Sequence, residues 1–304
     1  MLEAIRAFFR ERGVLEVETP ILAAAGATDP HLASLTTVCG AHSGHPGRPL
    51  YLQTSPELAM KRLVAAHGLP VYQLGKAFRD GERGALHNPE FTLLEWYRPG
   101  WDHLALMDEV ETLLNGLLGT GRARRVTYRE VFRDVLGLDP FDSPRELLAR
   151  AAAGSGLSGE TAAGIDRDGC LDFLFSTGVQ PALAGTRLAF VHEFPASQAA
   201  LARIRPDNPA VAERFEAFVD GVEVANGYRE LSDAREQRRR FEADLARRRG
   251  LGLPEPPVDE RLLAALEAGL PPCAGVAVGV DRLVMVAAGA QRIDEVLAFP
   301  LAEC

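Results

Sequence analysis

The sequence predicts an α+β protein, an antiparallel sheet with helices packed around it. Three observations carry that prediction. Two aliphatic and aromatic runs, 71–78 and 91–97, flank a polar, glycine-containing stretch, which is the pattern of a hairpin. A second pair of alternating runs, 213–220 and 222–229, repeats it later in the chain. Segments with helical periodicity, at 2–12, 101–118 and 232–249, separate these runs.

Taken in order, Leu2, Ile5, Phe8 and Phe9 give the first helix its apolar stripe, and Gly13 stops it. Val14–Val17 reads as a short strand ended by Pro20, and Leu35–Val38 and Leu50–Gln53 as two more. Between the latter lies the loop GAHSGHPGRP, whose His42 and His45 have neither cysteine nor carboxylate beside them and read as solvated. Pro56 opens a helix to about residue 66. Residues 125–185 are rich in alanine and glycine and read as an inserted, mainly helical region. Strand patterns resume at 187–193 and 201–205. After the arginine-rich helix 232–249 come a proline-rich turn, a helix at 259–268, and GVAVGVDRLVMVAAG, a strand that turns directly into a helix.

Composition narrows the function. The 304 residues are 47% apolar and 25% charged, with a net charge of −9, so broad binding to a phosphate backbone is disfavoured while local anion sites are not. The four cysteines, Cys39, Cys170, Cys273 and Cys304, lie far apart, which excludes a CxxC metal or redox motif. No stretch is long and apolar enough to cross a membrane, and no secretory leader opens the chain. A cytoplasmic protein is expected.

Several residues could carry chemistry. Arg79 ends a strand, where a guanidinium can hold a phosphate bidentately, and Phe91 on the returning strand can stack on a base. Each is equally at home in an ordinary surface hairpin. Glu216 and Glu223 fall on neighbouring strands, and paired carboxylates suit Mg²⁺ completed by substrate phosphates; alternating polar positions on a half-exposed hairpin would look the same. Asn226, Tyr228 and Glu230 alternate and share a face that suits an amine-bearing substrate. Arg282 stands in the first turn of a helix after a glycine-containing strand, a place that favours an anion, although the glycine spacing fails G-x-G-x-x-G. The arginines of 238–249 are interspersed with acids and read as a solvated face or a docking face.

The order of these pieces matches one family. VLEVETP, FR…HNPEFT…EWY and GVDR resemble motifs 1, 2 and 3 of a class II aminoacyl-tRNA synthetase catalytic core. YLQTSPE, HNPEFTLLEWY, RFEAFVDGVEVANGYREL and GVAVGVDRLVM are similar to lysyl-tRNA synthetase over nearly the whole chain. EWYRPGWD, HEFPASQAALA and the closing GVAVGVDRLVM look like its truncated paralogues, the elongation factor P (R)-β-lysine ligases. The resemblance implies one catalytic domain over 1–304, with no anticodon-binding domain. It implies an ATP-dependent ligase that activates (R)-β-lysine, or lysine, as an adenylate and transfers it to a lysine side chain of translation elongation factor P. A minimal lysyl-tRNA synthetase and a non-catalytic paralogue are the alternatives. Mg²⁺ is implied as cofactor, a homodimer through the first helix and Glu18–Pro20 as assembly, and tRNA is disfavoured as a partner.

The same resemblance assigns roles. Arg79 grips the α-phosphate and the substrate carboxylate, and Phe91 stacks on adenine. His87, Asn88 and Arg282 also serve ATP, and Glu216 and Glu223 hold Mg²⁺. Glu57 receives the substrate amine; Glu95, Tyr97 and Glu230 hold the distal ammonium; Asn226 contacts the carboxylate, and Tyr228 packs on the aliphatic chain. Two positions depart from the family. Gly81 stands where motif 2 usually has an acid, so Glu82 is expected to take that role. Ala277 replaces a glycine of lysyl-tRNA synthetases, which adds a methyl group to the amino-acid pocket. The arginine-rich helix 232–249 is the candidate docking face for an acidic protein partner.

Overall fold

The computed structural model describes residues 1–40 and 47–303, which leaves His42, His45 and Cys304 outside the described residues. Two compact units emerge, one built from Met1–Trp101 and the chain from Leu231 onward, the other from Asp102–Glu230.

The first unit opens with helix α1 (Leu2–Glu11), whose Ile5 and Phe9, one turn apart, are fully buried. Strand β1 (Leu15–Glu16) follows, then a small sheet of β2 (Leu22–Ala23), β3 (Thr36–Val38) and β4 (Pro49–Leu52) in the order β2-β4-β3. Helix α2 (Glu57–His67) starts after Pro56 and ends at a left-handed Gly68. Strands β5 (Val71–Phe78) and β6 (Glu90–Pro99) form the expected hairpin, with Phe78 opposite Glu90 and Val71 opposite Tyr97.

The second unit starts with α3 (His103–Leu118), capped by the Asp102 carboxylate, which accepts from the Ala105 amide at 2.8 Å. The inserted region is helical as expected, except that it begins on a strand, β7 (Arg124–Thr127), paired in parallel with a later one. Helices α4 (Tyr128–Leu136), α5 (Arg145–Gly154), α6 (Gly159–Gly164) and α7 (Arg167–Leu174) follow, then a π-helical turn at Phe175–Val179 and the short α8 (Gln180–Ala182). Their core is aromatic, with Tyr128 stacked on Phe132 and Phe175 at 4.6 and 5.3 Å between ring centres. Strands β8 (Ala189–Pro195), β9 (Val211–Val219) and β10 (Val222–Arg229) follow, with β9 antiparallel to both β8 and β10, while β8 is the parallel partner of β7. The strand expected at 201–205 does not form. Ala202 and Ile204 make isolated bridges to Glu230 and Ala212, and the segment is otherwise turn.

The chain returns to the first unit through α9 (Ala234–Gly250) and α10 (Glu260–Gly269), then β11 (Cys273–Gly279) and α11 (Val280–Ala288). β11 pairs with β6, so the unit's sheet runs β1-β5-β6-β11, parallel only at β1. Phe9 of α1 packs on one face of it, 4.4 Å from Tyr72 and 5.1 Å from Trp96 between ring centres. The arginines of α9 are largely matched within the chain. Arg238 grips Glu260 with two bonds of 3.0 and 2.6 Å, Arg239 and Arg240 hold Glu236, and Arg249 holds Glu255. Arg248 is buried and donates to the carbonyls of Asp29 and Pro254. These side chains therefore serve the fold, which removes much of the charge expected of a docking face.

Candidate functional site

Side chains alternate along a strand, so the face of the first unit's sheet opposite Tyr72 and Trp96 carries Gln73, Phe91, Leu93, Glu95, Tyr97 and Ala277. Two rows cross it. Gln73, Glu95 and Ala277 stand side by side on three strands, and Gly75, Leu93 and Gly279 form the next row. Small residues at 75, 277 and 279 keep this face low. Tyr97 donates to Glu95 Oε1 at 2.7 Å, and Glu95 is only 2% exposed. A carboxylate held on a sheet face beside Ala277 is a ready receptor for an ammonium group.

At the hairpin's turn the cationic residues gather. Arg79 Nε donates to the Thr54 carbonyl at 3.2 Å, its Nη1 to Glu82 at 3.4 Å, and its guanidinium lies 5.0 Å from the centre of the Phe91 ring. Arg282, in the first turn of α11, donates through Nε to the Leu86 carbonyl at 3.3 Å, with Nη2 2.6 Å from His87 Nε2. Asp281 accepts from the Thr92 amide at 2.6 Å and so fastens the start of α11 to β6. Asn88 donates to the Glu90 carbonyl and accepts from the Leu301 amide. The fold thus brings Arg79, Glu82, His87, Asn88, Phe91 and Arg282 to one hairpin. Gly81 has φ +75°, a left-handed conformation that glycine adopts without strain.

Glu57 sits at the start of α2, and its carboxylate receives Lys61 Nζ at 2.6 Å. Lys61 is 1% exposed and lies one helical turn on, so a buried cation already faces the carboxylate expected to meet the substrate amine. Lys61 escaped the sequence reading because a lysine in KRL looks solvated; its i, i+4 spacing from Glu57 was the available signal.

In the second unit, β9 and β10 set Glu216 opposite Asn226 and Arg214 opposite Tyr228. Glu223 pairs with Phe218, and a bulge between Glu223 and Ala225 shifts the register. Asn226 donates to the Tyr228 hydroxyl at 2.9 Å, and Glu230 is buried at the bridge to Ala202. Burial pushes the Glu216 carboxyl up to about 7; the Arg214 guanidinium, 2.6 Å away, opposes the shift, and the Glu223 charge adds to it. Arg214 was also missed, though it stands two residues before Glu216 and hence on its face. Two adjacent carboxylates, one of them buried, fit a Mg²⁺ ion whose remaining ligands are phosphate oxygens and water. Among the described residues no group of three or more His, Cys, Asp or Glu side chains could hold a metal without such help.

Residues 1–303 match the family model of class II tRNA synthetases (D, K and N), and the chain belongs to that family. Within it, the chain is 53% identical over 300 residues to the elongation factor P–(R)-β-lysine ligase of Vibrio cholerae, covering 99% of this chain and 93% of that protein. It is 50% identical to the proteins of the same name from Proteus mirabilis, with 98% and 91% covered, and from Vibrio vulnificus, with 99% and 93% covered.

Proposed function

We propose that the chain is an ATP-dependent ligase that activates (R)-β-lysine, or lysine, as an aminoacyl-adenylate and transfers it to a lysine side chain of elongation factor P. The observation that carries this reading is the set of relatives of that name at 48–53% identity over nearly the full chain. Arg79 on the β5–β6 hairpin and Arg282 of α11, which contacts that hairpin's loop, support it. In the first step a carboxylate oxygen of the amino acid attacks the α-phosphorus and pyrophosphate leaves. That carboxylate is ionised at neutral pH, so the step needs charge compensation and alignment rather than a base. Arg79 and Arg282 supply the compensation, Phe91 takes the adenine, and His87, Asn88 and Glu82 complete the nucleotide's surroundings. Glu216 and Glu223 would hold Mg²⁺, which when bound neutralises phosphate charge. In the second step the acceptor amine attacks the acyl carbon, AMP leaves, and the amine gives up a proton.

The amino acid's ammonium groups go to Glu57 and to Glu95, Tyr97 and Glu230, with Asn226 on the carboxylate and Tyr228 along the chain. The Ala277 methyl disfavours the α-amino isomer by about 1–3 kcal/mol, the scale of one methyl group. We further propose that two copies pair through α1 and Glu18–Pro20, where Leu15, Ile21, Leu22 and Val38 offer exposed apolar surface. The net charge of −9 disfavours tRNA as the acceptor, and a cytoplasmic location suits a translation factor as substrate. The test is mass spectrometry of elongation factor P incubated with the chain, ATP and (R)-β-lysine. Gain of one β-lysyl mass is expected; no gain beside an active control, or lysyl-tRNA formed at a comparable rate, would overturn the reading.

A further inference from the structure

Arg214 stands beside Glu216 in β9, and both of its terminal nitrogens are engaged. Its Nη2 donates to Glu216 Oε1 at 2.6 Å and its Nη1 to the Gln198 carbonyl at 2.6 Å. The Phe194 ring centre lies 4.4 Å from its Cζ and that of Tyr228 lies 6.0 Å away. The pair is deeply set, with the Arg214 and Glu216 side chains 16% and 11% exposed. A planar guanidinium gripped along its edge and stacked on a ring has one available orientation, unlike a lysine ammonium. Such a pair is a poor device for stability, since desolvating two charges offsets most of their attraction, and apolar residues of the same volume often serve a fold better. Its value therefore lies in where it holds the carboxylate. Arg214 takes Oε1, leaving Oε2 of Glu216 on the face it shares with Asn226.

We propose that Arg214 is the positioning residue of the metal site: it fixes the Glu216 carboxylate so that Oε2 meets the divalent cation carried by the nucleotide. This rests on the reading that Glu216 and Glu223 hold the metal.

The test is calorimetric titration of the full chain with ATP, once with Mg²⁺ and once with EDTA. The quantity read is the ratio of the two affinities in wild type, Arg214→Met and Arg214→Lys. Loss of a residue that orients a metal ligand costs about 10- to 100-fold in metal affinity. The ratio is therefore expected to fall by about that factor in Arg214→Met, with the affinity in EDTA unchanged. Arg214→Lys keeps the charge without the fork and should still fall short of wild type. A wild-type ratio in Arg214→Met, or equal losses with and without Mg²⁺, would overturn the proposal. If Arg214→Met fails to fold, Arg214→Lys decides, and a wild-type ratio there overturns it. A wild-type chain whose ATP affinity ignores Mg²⁺ would instead remove the metal reading of Glu216 and Glu223, and this inference with it.

Discussion

Arg79 of the first unit and Arg214 of the second are held in opposite ways. In the first, Arg79 is 27% exposed and rests on long bonds of 3.2 and 3.4 Å to a carbonyl and to Glu82. In the second, Arg214 and Glu216 are buried and joined at 2.6 Å. A cation that must receive a phosphate cannot already be locked in a strong pair, because breaking that pair would subtract from binding. A carboxylate that must wait in a buried place needs a cation beside it, or it loses its charge. A loosely held Arg79 and a tightly held Glu216 are thus the resting forms that suit their proposed roles, the one toward phosphate and the other toward a metal.

The largest effect that could break this comparison is at Arg79. Truncation to Ala removes a guanidinium with little structural work to do, so the melting temperature should hold while pyrophosphate exchange falls by about 10²- to 10³-fold, the scale for losing one transition-state donor. Near-normal exchange would show that the loose arginine is only a surface residue.

Next in size is a pH effect confined to the second unit. His103 is 8% exposed, and burial pushes its pKa down to about 4, with the His192, Arg229 and Arg205 charges adding and the Asp102 charge opposing. The unfolded chain titrates this histidine near 6.5, so between about pH 6.5 and 4 the unfolded state binds more protons than the folded one. Stability is therefore present above that window and is lost as pH falls through it, by an amount of order 3 kcal/mol from this group. In His103→Gln the urea midpoint should depend less on pH across the same range. An identical pH dependence in both proteins would place the acid sensitivity elsewhere.

Much of this was legible in the sequence, for identifiable reasons. The β5–β6 hairpin announced itself because aliphatic runs on both sides of a polar turn leave one pairing, and the strand 71–78 emerged with its expected ends. Positions 79, 82, 87, 88 and 91 then had to share that hairpin. What stayed hidden depends on burial across distant segments. Nothing local distinguishes 201–205, an apolar alternation that becomes bridges and turns, from a strand. Arg214, Lys61 and His103 are residue types that are usually solvated, and only the packing around each shows otherwise. Parallel β7 was missed because its partner lies about 60 residues on, beyond the helices that separate them.

A middle-sized effect concerns the open face of the first unit. Ala277 sits beside Glu95 on a neighbouring strand, so Ala277→Gly removes a methyl group from the proposed amino-acid pocket without moving the carboxylate. The ratio of adenylate formation with (R)-β-lysine to that with α-lysine should fall by about tenfold, within the range for one methyl. An unchanged ratio would mean that selectivity is set elsewhere.

The smallest expected effect probes the buried side of the comparison. The Tyr128 hydroxyl is buried in the aromatic core of the insertion without a hydrogen-bond partner, and burial pushes its pKa well above the usual phenol value. An unpartnered hydroxyl costs free energy that a phenyl ring of the same shape does not. Tyr128→Phe keeps the stacking on Phe132 and Phe175. It should leave the urea midpoint unchanged or raise it, by up to about 1 kcal/mol in stability. A loss of more than that would mean the hydroxyl has a partner in solution, and the nearby Asp172 and Glu216 charges are the groups such a partner would have to bridge. In that case the insertion would be tied through a polar link to Glu216, one of the carboxylates proposed to hold the metal, and its helices would do more than carry the sheet.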